Sequence, residues 1–357
     1  MWTDSGYAYA KASWIIGKSF LGKRISFLSG LHTLSDFDRQ IFPDSYRELP
    51  GRELLPSLEK RIIQRCVKQI LGVVKSYSQP PRLLIRMLKG FEYSDLKECL
   101  AHIAGGKDDL PVISDIGRFK TVRFDAYPDI EAMIKKTEFE SLLSSDIKSI
   151  KKGADLISID AKIDYRFYQS LIESLSQLDY DDRETASRLI ADEISLRNCF
   201  WALRLRTYYQ KSEIETAKYL MDYKLLGNIH QKRASLNAEA KSSLDFSLDI
   251  RENWQGWRWE RFLNHEDTVY PSGTVHPSAA HWSADPRYFQ NAASEYLYHL
   301  AFHGFHSSPM SVGAIFCFIK LKMFEEDLLT SVAEGLALGM DSGTIFKILP
   351  SFKREVS

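Results

Sequence analysis

The histidines are the residues whose type and spacing come closest to a chemical site. Six of the nine lie in one stretch: His265, His276, His281, His299, His303 and His306. His299 and His303 stand four residues apart on a predicted helix, with Glu295 one turn earlier, a spacing that can hold zinc on one helix face. However, no cysteine lies among them, and histidines near a helix C-terminus are favoured by the helix dipole alone. We therefore predict no metal and no other cofactor, with His299 and His303 as the candidates if a metal is bound.

Motifs of known enzyme classes are missing from the sequence. There is no GxxxxGK[ST] loop for phosphate, no GxGxxG after a strand, no HExxH and no GxSxG. The chain is predicted not to be an enzyme.

The second group of interest is polar and lies in an apolar helix predicted over residues 181–210. Its members are Arg197, Asn198, Arg204 and Arg206. Two interpretations stay open: the arginines reach the surface on long stems or pair with Asp192 and Glu193, or they line a groove that receives another subunit. Arg204 and Arg206 are separated by about 200° around a helix, so only one of them can face such a groove.

Composition describes a folded protein without a dominant charge. The 357 residues are 44% hydrophobic, and 47 basic residues balance 47 acidic ones. This balance argues against a nonspecific nucleic-acid binder. The sequence contains no run of about 18 apolar residues, so we predict no direct membrane span. The four cysteines are far apart, and we expect reduced, buried thiols.

Helical periodicity dominates the chain, so the predicted fold class is all-α. Residues 6–28 predict one long amphipathic helix with Tyr7, Trp14, Leu21 and Leu28 on its stripe. Three times a long helix ends in a break before a shorter element, as at Gly339, where Asp341 or Ser342 begins the next helix. We interpret this as an internal triplication. The predicted domains are 1–112, 113–222 and 223–357, with an irregular insertion at about 250–284.

Three tryptophans open the predicted insertion: Trp254, Trp257 and Trp259. They suit a binding platform, but we favour a local core that holds a loop in place. Residues 264–284 are expected to be irregular.

Several stretches together resemble the C subunit family of prokaryotic V/A-type ATPases, the counterpart of the d subunit of eukaryotic V-ATPases. The opening "GYAYAKASWIIGKSFLGKRISFL" is similar to that family's first helix, and "ADPRYFQNAASEYLYHLAF" to the entry of its last domain.

The family also carries, in each of three related domains, an acidic residue followed by Asn-Leu-Arg/Lys-like positions and a later glycine. "EYSDLKECLAHIAGG" resembles the first copy through Glu92, Asp95, Leu96, Lys97 and Gly105. "SLRNCFWALRLR" resembles the second through Asn198 and Arg204, with Ser195 at the acidic position. "KMFEEDLLTSVAEGLALGMDSGTI" resembles the third through Lys322, Glu325, Leu329, Val332, Gly335, Gly339 and Ile345, with Leu328 and Thr330 replacing the Asn and the basic residue.

The resemblance implies three related helical domains in a pseudo-threefold funnel and a non-catalytic role. Such a protein joins the central shaft of a rotary ATPase to the membrane rotor ring, and serves proton or sodium transport with ATP synthesis or hydrolysis. It implies a cytoplasmic protein that is peripheral to the membrane through the complex. Arg204, which matches the family, is the preferred partner-binding residue, together with Asn198 and Arg206.

Two other functions stay open. Helix pairs and balanced charge also suit a helical-repeat adaptor unrelated to an ATPase. The second alternative is a metal enzyme that uses the histidine cluster. Metal analysis of the purified protein distinguishes it from the other functions.

Overall fold

The computed structural model describes residues 4–46, 49–153, 156–223, 235–263 and 282–352. Within these ranges the fold is all-α and contains no β-strand, as predicted. The α-helices are α1 (Asp4–Gly17), α2 (Leu34–Ile41), α3 (Gly51–Val74), α4 (Arg82–Ala104), α5 (Ile130–Ile134), α6 (Glu138–Leu143), α7 (Ile147–Ile150), α8 (Ile157–Leu175), α9 (Tyr180–Tyr209), α10 (Glu213–Ala217), α11 (Ala238–Ser242), α12 (Pro286–Ser307), α13 (Val312–Ala337) and α14 (Ser342–Ile348). The 3₁₀ turns are Gly22–Leu28, Pro43–Ser45, Gly117–Phe119, Phe124–Ala126, Arg251–Trp254 and Glu260–Leu263.

The helix ends follow the local chemistry of the sequence. Ser212 begins α10 with a capping box, because its hydroxyl accepts from the Glu215 amide while the Glu215 carboxylate accepts from the Ser212 amide. Asp341 caps α14 by accepting from the Thr344 amide. Of the two predicted starts of the last helix, Asp341 and Ser342, Asp341 is the cap.

The first helix is shorter than predicted. α1 ends at Gly17, and residues Gly22–Leu28 form a 3₁₀ turn instead of continuing the helix. The chain leaves the helix because the Phe20 amide donates to Glu325 and Gly22 adopts a left-handed φ of 63°. The predicted stripe is also wrong at its start, since Tyr7 and Trp14 are exposed.

The buried face of α1 is made of small residues. Gly6, Ala8, Ala12 and Ile15 turn inward, and α1 packs on α3 and α13. Small side chains bring the helix axes close together and leave the larger aromatic residues for the outer face.

Two hydrophobic cores hold the described helices together. The larger core joins α1, α3, α9, α12 and α13, and it draws side chains from all three predicted domains. The smaller core fills the space between α4 and the α5–α8 helices around Phe139 and Ile163. The domain boundaries at residues 112 and 222 stay predictions.

The tryptophan segment is packed into the fold and is not an exposed platform, but its tryptophans are part of the larger core and do not form a separate local one. Trp254, Trp257 and Trp259 are buried, and each indole N–H donates to an oxygen within the fold: Ser247 O, Glu239 O and Ser195 Oγ. The irregular excursion predicted over 264–284 lies mostly outside the described residues. All four cysteines are free and buried, as expected.

No helix in the described ranges combines the length and the apolar composition that crossing a bilayer requires.

Candidate partner-binding sites

Polar side chains in the middle of the long helices bind the backbone of segments that return to them. On α4, the carboxylate of Glu92 accepts hydrogen bonds from the amides of Thr121 and Val122 and from the Thr121 hydroxyl. Glu92 is buried, and Lys89 lies one turn before it with its ammonium 3.5 Å from the carboxylate. Glu92 therefore fixes the loop that follows α4.

One turn further along α4, Asp95 binds a second returning segment. Its carboxylate accepts from the Ser114 amide at 2.9 Å and from the Ser114 hydroxyl at 3.0 Å. Burial raises the pKa of Asp95 to about 6, against the lowering effect of the two Ser114 hydrogen bonds. Asp95 has the same structural role as Glu92.

Asn198 occupies the corresponding position on α9. Its side-chain oxygen accepts from the Met221 amide, and its NH₂ group donates to the carbonyls of Met221 and Leu236. Only 1% of this residue is exposed. Because these bonds use its amide within the fold, Asn198 holds the backbone at Met221 and at Leu236 in place instead of facing a partner.

The third long helix, α13, binds the N-terminal segment. Glu325 accepts from the Phe20 amide at 2.8 Å and pairs with Lys322, one turn before it on the same helix. Arg65 of α3 lies 3.6 Å from the same carboxylate. Glu325 therefore joins the start of the chain to its last long helix.

α4, α9 and α13 are alike at their C-terminal ends as well as in these polar side chains. Each is followed by a residue with a left-handed φ: Gly106 at 69°, Gln210 at 50° and Gly339 at 77°. In the sequence the residues that resemble the family pattern are Glu92 and Asp95, Ser195 and Asn198, and Glu325 and Leu328. Most of them act in folding, and their equivalent roles support the predicted triplication, which itself stays a prediction.

The predicted arginines have three different environments. Arg197 pairs with Asp164 of α8, which also receives Lys97 of α4 at 2.9 Å. Arg206 donates to the carbonyls of Ser243 and Phe246 at 2.9 and 2.5 Å. Both arginines therefore connect elements of this chain, and Arg206 is the residue that pairs locally.

Arg204 differs from both of them. Its guanidinium carbon lies 5.6 Å from the Trp201 ring centre and 5.9 Å from that of Phe200, and its Nε atom is buried without a hydrogen-bond partner. The residue is partly exposed, and Tyr208, one turn later, is 53% exposed. Tryptophan, tyrosine and arginine are the residue types that dominate protein interfaces. Of the three predicted residues, Arg204 is placed best for a partner.

Pairing with Asp192 and Glu193 was one of the open alternatives, and no ion pair joins these arginines to either carboxylate among the described residues. Asp192 receives Arg258 at 2.7 Å and the Tyr296 hydroxyl at 2.7 Å, while Glu193 receives Lys320 and the Tyr168 hydroxyl, both at 2.8 Å. Both carboxylates are therefore used in contacts between elements that lie far apart in the sequence. Sequence spacing along one helix does not reveal such partners.

An open cleft with a volume of about 830 Å³ lies between α12, α13 and α14. Glu326, Asp327 and Glu334 of α13 line it on one side, and Arg287 and Lys347 belong to its rim. Burial and the neighbouring Asp327 raise the pKa of the Glu326 carboxyl. This cleft was not predicted from the sequence, although the run "FEEDLL" inside an apolar helix was a usable signal.

The histidines do not form a metal centre within the described ranges, where no group of three or more metal-binding side chains occurs. His299 packs against the Tyr298 ring, and His303 is exposed near the end of α12. His306 contacts the Phe302 carbonyl of its own helix at 2.8 Å. His265, His276 and His281 lie outside the described residues.

Comparison with known proteins places most of the chain in one family. A family model described as the ATP synthase (C/AC39) subunit matches residues 28–347. An uncharacterized protein of Treponema pallidum (strain Nichols) is 26% identical over 336 residues, which cover 93% of this chain and 92% of that protein. The similarity therefore extends over nearly the full length of both chains.

Proposed function

The chain belongs to the ATP synthase (C/AC39) subunit family, and from this premise we propose that it is a non-catalytic central-stalk subunit of a rotary V/A-type ATPase. It couples the central shaft to the membrane rotor ring and so serves the transport of protons or sodium ions. The observation that carries the proposal is the family match over residues 28–347. The protein would act on the cytoplasmic side, attached to the membrane through the complex.

The internal contacts suit a part that transmits torque, because such a part must keep its shape under load. Buried or half-buried polar groups connect helices that are distant in sequence: Lys320 with Glu193, Arg258 with Asp192, and Glu325 with the Phe20 amide. Polar contacts of this kind make a fold rigid when all of their hydrogen-bonding groups are satisfied.

We propose three related helical domains, 1–112, 113–222 and 223–357, arranged as a funnel around an approximate threefold axis. The support is that α4, α9 and α13 each carry a buried side chain that accepts from a backbone amide of a distant segment, namely Glu92 and Asp95, Asn198, and Glu325, and that a left-handed residue follows each helix. We assign Arg204 to the interface with a neighbouring subunit, because among the described contacts its guanidinium makes no ion pair and no hydrogen bond to this chain, whereas Arg206 donates to two carbonyls.

Purification of the tagged chain from detergent-solubilised membranes tests the proposal. We expect shaft and rotor-ring subunits of one ATPase to co-purify in fixed stoichiometry, and ATP-driven ion transport to disappear when the gene is removed. Recovery of other proteins without any ATPase subunit would favour the helical-repeat adaptor. In that case the domains should stack as an open superhelix, which a structure of the complex would reveal.

A further inference from the structure

The first 35 residues contain an unbalanced set of charges in a chain whose overall charge is zero. Residues 5–35 include no Asp or Glu, while Lys11, Lys18, Lys23 and Arg24 are all basic. The part of the surface around α1 is therefore positive, and its field is local because the rest of the chain cancels it.

A groove between α1 and α3 forms one side of this surface. It has a volume of about 680 Å³, and its walls include the apolar side chains of Ile15, Phe42 and Leu71. Every charged residue that lines it is basic: Lys11, Arg65, Lys68 and Lys75. Lys11 donates to the Gly72 carbonyl at 2.6 Å and Arg65 lies beside Glu325, whereas Lys68 and Lys75 are exposed to solvent.

A second cleft, of about 460 Å³, lies on the other side of α1, against α12. Its aromatic walls include Phe302 and Tyr298, and in the part of the chain that the structure describes it too is lined by no Asp or Glu. Arg24 at this cleft stacks on Phe20 and Phe27, and its Nε atom is buried without a hydrogen-bond partner. The two clefts therefore share the same combination of apolar walls and positive charge.

The ridge between the clefts is aromatic. Trp14 is 63% exposed and Tyr7 is 57% exposed on the outer face of α1, and the Lys18 ammonium lies 3.9 Å from the centre of the Trp14 ring. An exposed tryptophan beside an apolar groove is typical of an interaction surface.

We propose that this surface, formed by the outer face of α1 and its two flanking clefts, is a docking site for an acidic, amphipathic helical segment of another protein. The apolar side chains of that helix fill the groove between α1 and α3, and its carboxylates lie beside Lys18, Lys68 and Lys75. Complementary charge fits this occupant, since no carboxylate among the described residues lines either cleft. A flat lipid surface cannot reach the apolar floor of a groove, so the concave shape favours a protein helix.

A labelled peptide tests the proposal without knowledge of the natural partner. The probe is a helix of about 18 residues with Leu on one face and Glu on the other, and the comparison peptide has Lys in place of Glu. Fluorescence anisotropy with the full chain should show binding of the Glu peptide and none of the Lys peptide. Binding should weaken as salt rises from about 50 mM to about 500 mM.

Matched variants locate the binding. Trp14→Ala, and separately Lys18→Glu with Lys68→Glu, should each raise the Kd of the Glu peptide by about tenfold or more. Lys60→Glu with Lys148→Glu changes the net charge equally at exposed positions elsewhere and should leave the Kd within about twofold of the parent. Thermal unfolding of every variant checks that the fold is intact.

Three results would overturn the proposal. The first is that the Glu peptide does not bind the parent. The second is an equal loss in the control pair, which would indicate a nonspecific charge effect. The third is binding to phosphatidylcholine vesicles that contain phosphatidylglycerol, lost in the Lys18/Lys68 variant, without peptide binding, which would assign the surface to an anionic membrane.

Discussion

α4 and α13 use the same chemistry over very different distances along the chain. Glu92 of α4 binds the amides of Thr121 and Val122, about thirty positions downstream. Glu325 of α13 binds the Phe20 amide across 305 positions. Each glutamate has a lysine one turn before it, Lys89 and Lys322, so the local arrangement is alike.

The two glutamates differ in the parts of the fold that their hydrogen bonds hold together. Glu92 holds a loop at the edge of the smaller core, whereas Glu325 joins the N-terminal segment to the centre of the larger core. Lys89 also has other polar neighbours, with Thr121 Oγ1 at 3.0 Å and Glu138 at 3.9 Å. Lys322 is 2% exposed, and Glu325 is the ion-pair partner found for it in the described residues. We therefore expect loss of Glu325 to affect the whole fold and loss of Glu92 to affect one loop.

The largest expected effect is that of Glu325→Ala. Removing this carboxylate leaves the Lys322 ammonium buried without its partner and the Phe20 amide without its acceptor. We expect the free energy of unfolding to fall by about 3 to 5 kcal/mol. Chemical denaturation, followed by far-UV circular dichroism, measures it.

Two matched variants sharpen the same comparison. Lys322→Met together with Glu325→Leu leaves no charge unpaired and should cost less than Glu325→Ala alone. Glu92→Ala should cost about 2 kcal/mol and open mainly the loop at residues 121–122, as seen by hydrogen exchange. If Glu92→Ala lowers the free energy of unfolding as much as Glu325→Ala, the sequence distance that such a hydrogen bond spans does not determine its contribution to stability.

The next effect separates binding from folding on α9. Arg204→Ala should leave the free energy of unfolding near that of the parent, since Arg204 makes no ion pair among the described contacts, yet weaken binding to shaft or ring subunits by about 2 kcal/mol. Surface plasmon resonance against the purified subunits measures it. Asn198→Ala is the contrasting variant, because it removes three internal hydrogen bonds and should lower stability first. Unchanged binding by Arg204→Ala, or its unfolding, would make Arg204 a structural residue.

A smaller effect concerns Asp95, which stands where α9 has Asn198. Its folded pKa of about 6 lies above the ordinary value of 3.8, because the carboxyl is buried. The protonated form is thus favoured in the folded protein. The stability from this group is fully present below about pH 4 and is lost as the pH rises through about 6.

Asp95→Asn removes the titrating carboxyl and with it the loss of stability at higher pH. Asparagine is also the residue that α9 has at this position, as Asn198. Its oxygen can still accept from the Ser114 amide. We expect a gain of about 1 kcal/mol at pH 7 and almost none at about pH 3, from unfolding free energies of variant and parent. A gain of equal size at both pH values would show that the charge of Asp95 is not its cause.

Periodicity predicted the long helices well because their apolar faces and their breaks at proline or glycine are local properties of the sequence. The ends of α4 and α13 follow in this way, whereas α9 ends before Gln210 without a proline or glycine. The early end of α1 was not predictable, since it depends on Glu325, more than 300 residues away. The burial of the tryptophans was predicted, because three large apolar side chains in a short segment must be covered, but their place in the larger core was not.

The candidate sites were harder to predict than the helices. The resemblance singled out Asn198, but only the structure reveals that its amide is used internally. Arg204 and Arg206 point in different directions because helix geometry is local. Arg206 pairs within this chain, and the contact of Arg204 with a partner stays a prediction. The basic surface around α1 was visible as an acid-free stretch, whereas its grooves arise from the packing of α1 against α3 and α12.

The smallest expected effect lies at the end of α9. Gly106 and Gly339 follow α4 and α13 with left-handed φ angles, and Gln210 adopts the same conformation after α9 with φ of 50°. A residue with a Cβ atom is strained there, whereas glycine is not, although glycine loses more backbone entropy on folding. The relief of strain should exceed the entropy cost, so Gln210→Gly should stabilise the protein by about 0.5 kcal/mol. Chemical denaturation measures the gain, with Gly339→Ala as the converse variant, expected to destabilise by about 1 kcal/mol. A loss of stability in Gln210→Gly would mean that contacts of the glutamine side chain, and not the backbone angle, decide how this helix ends.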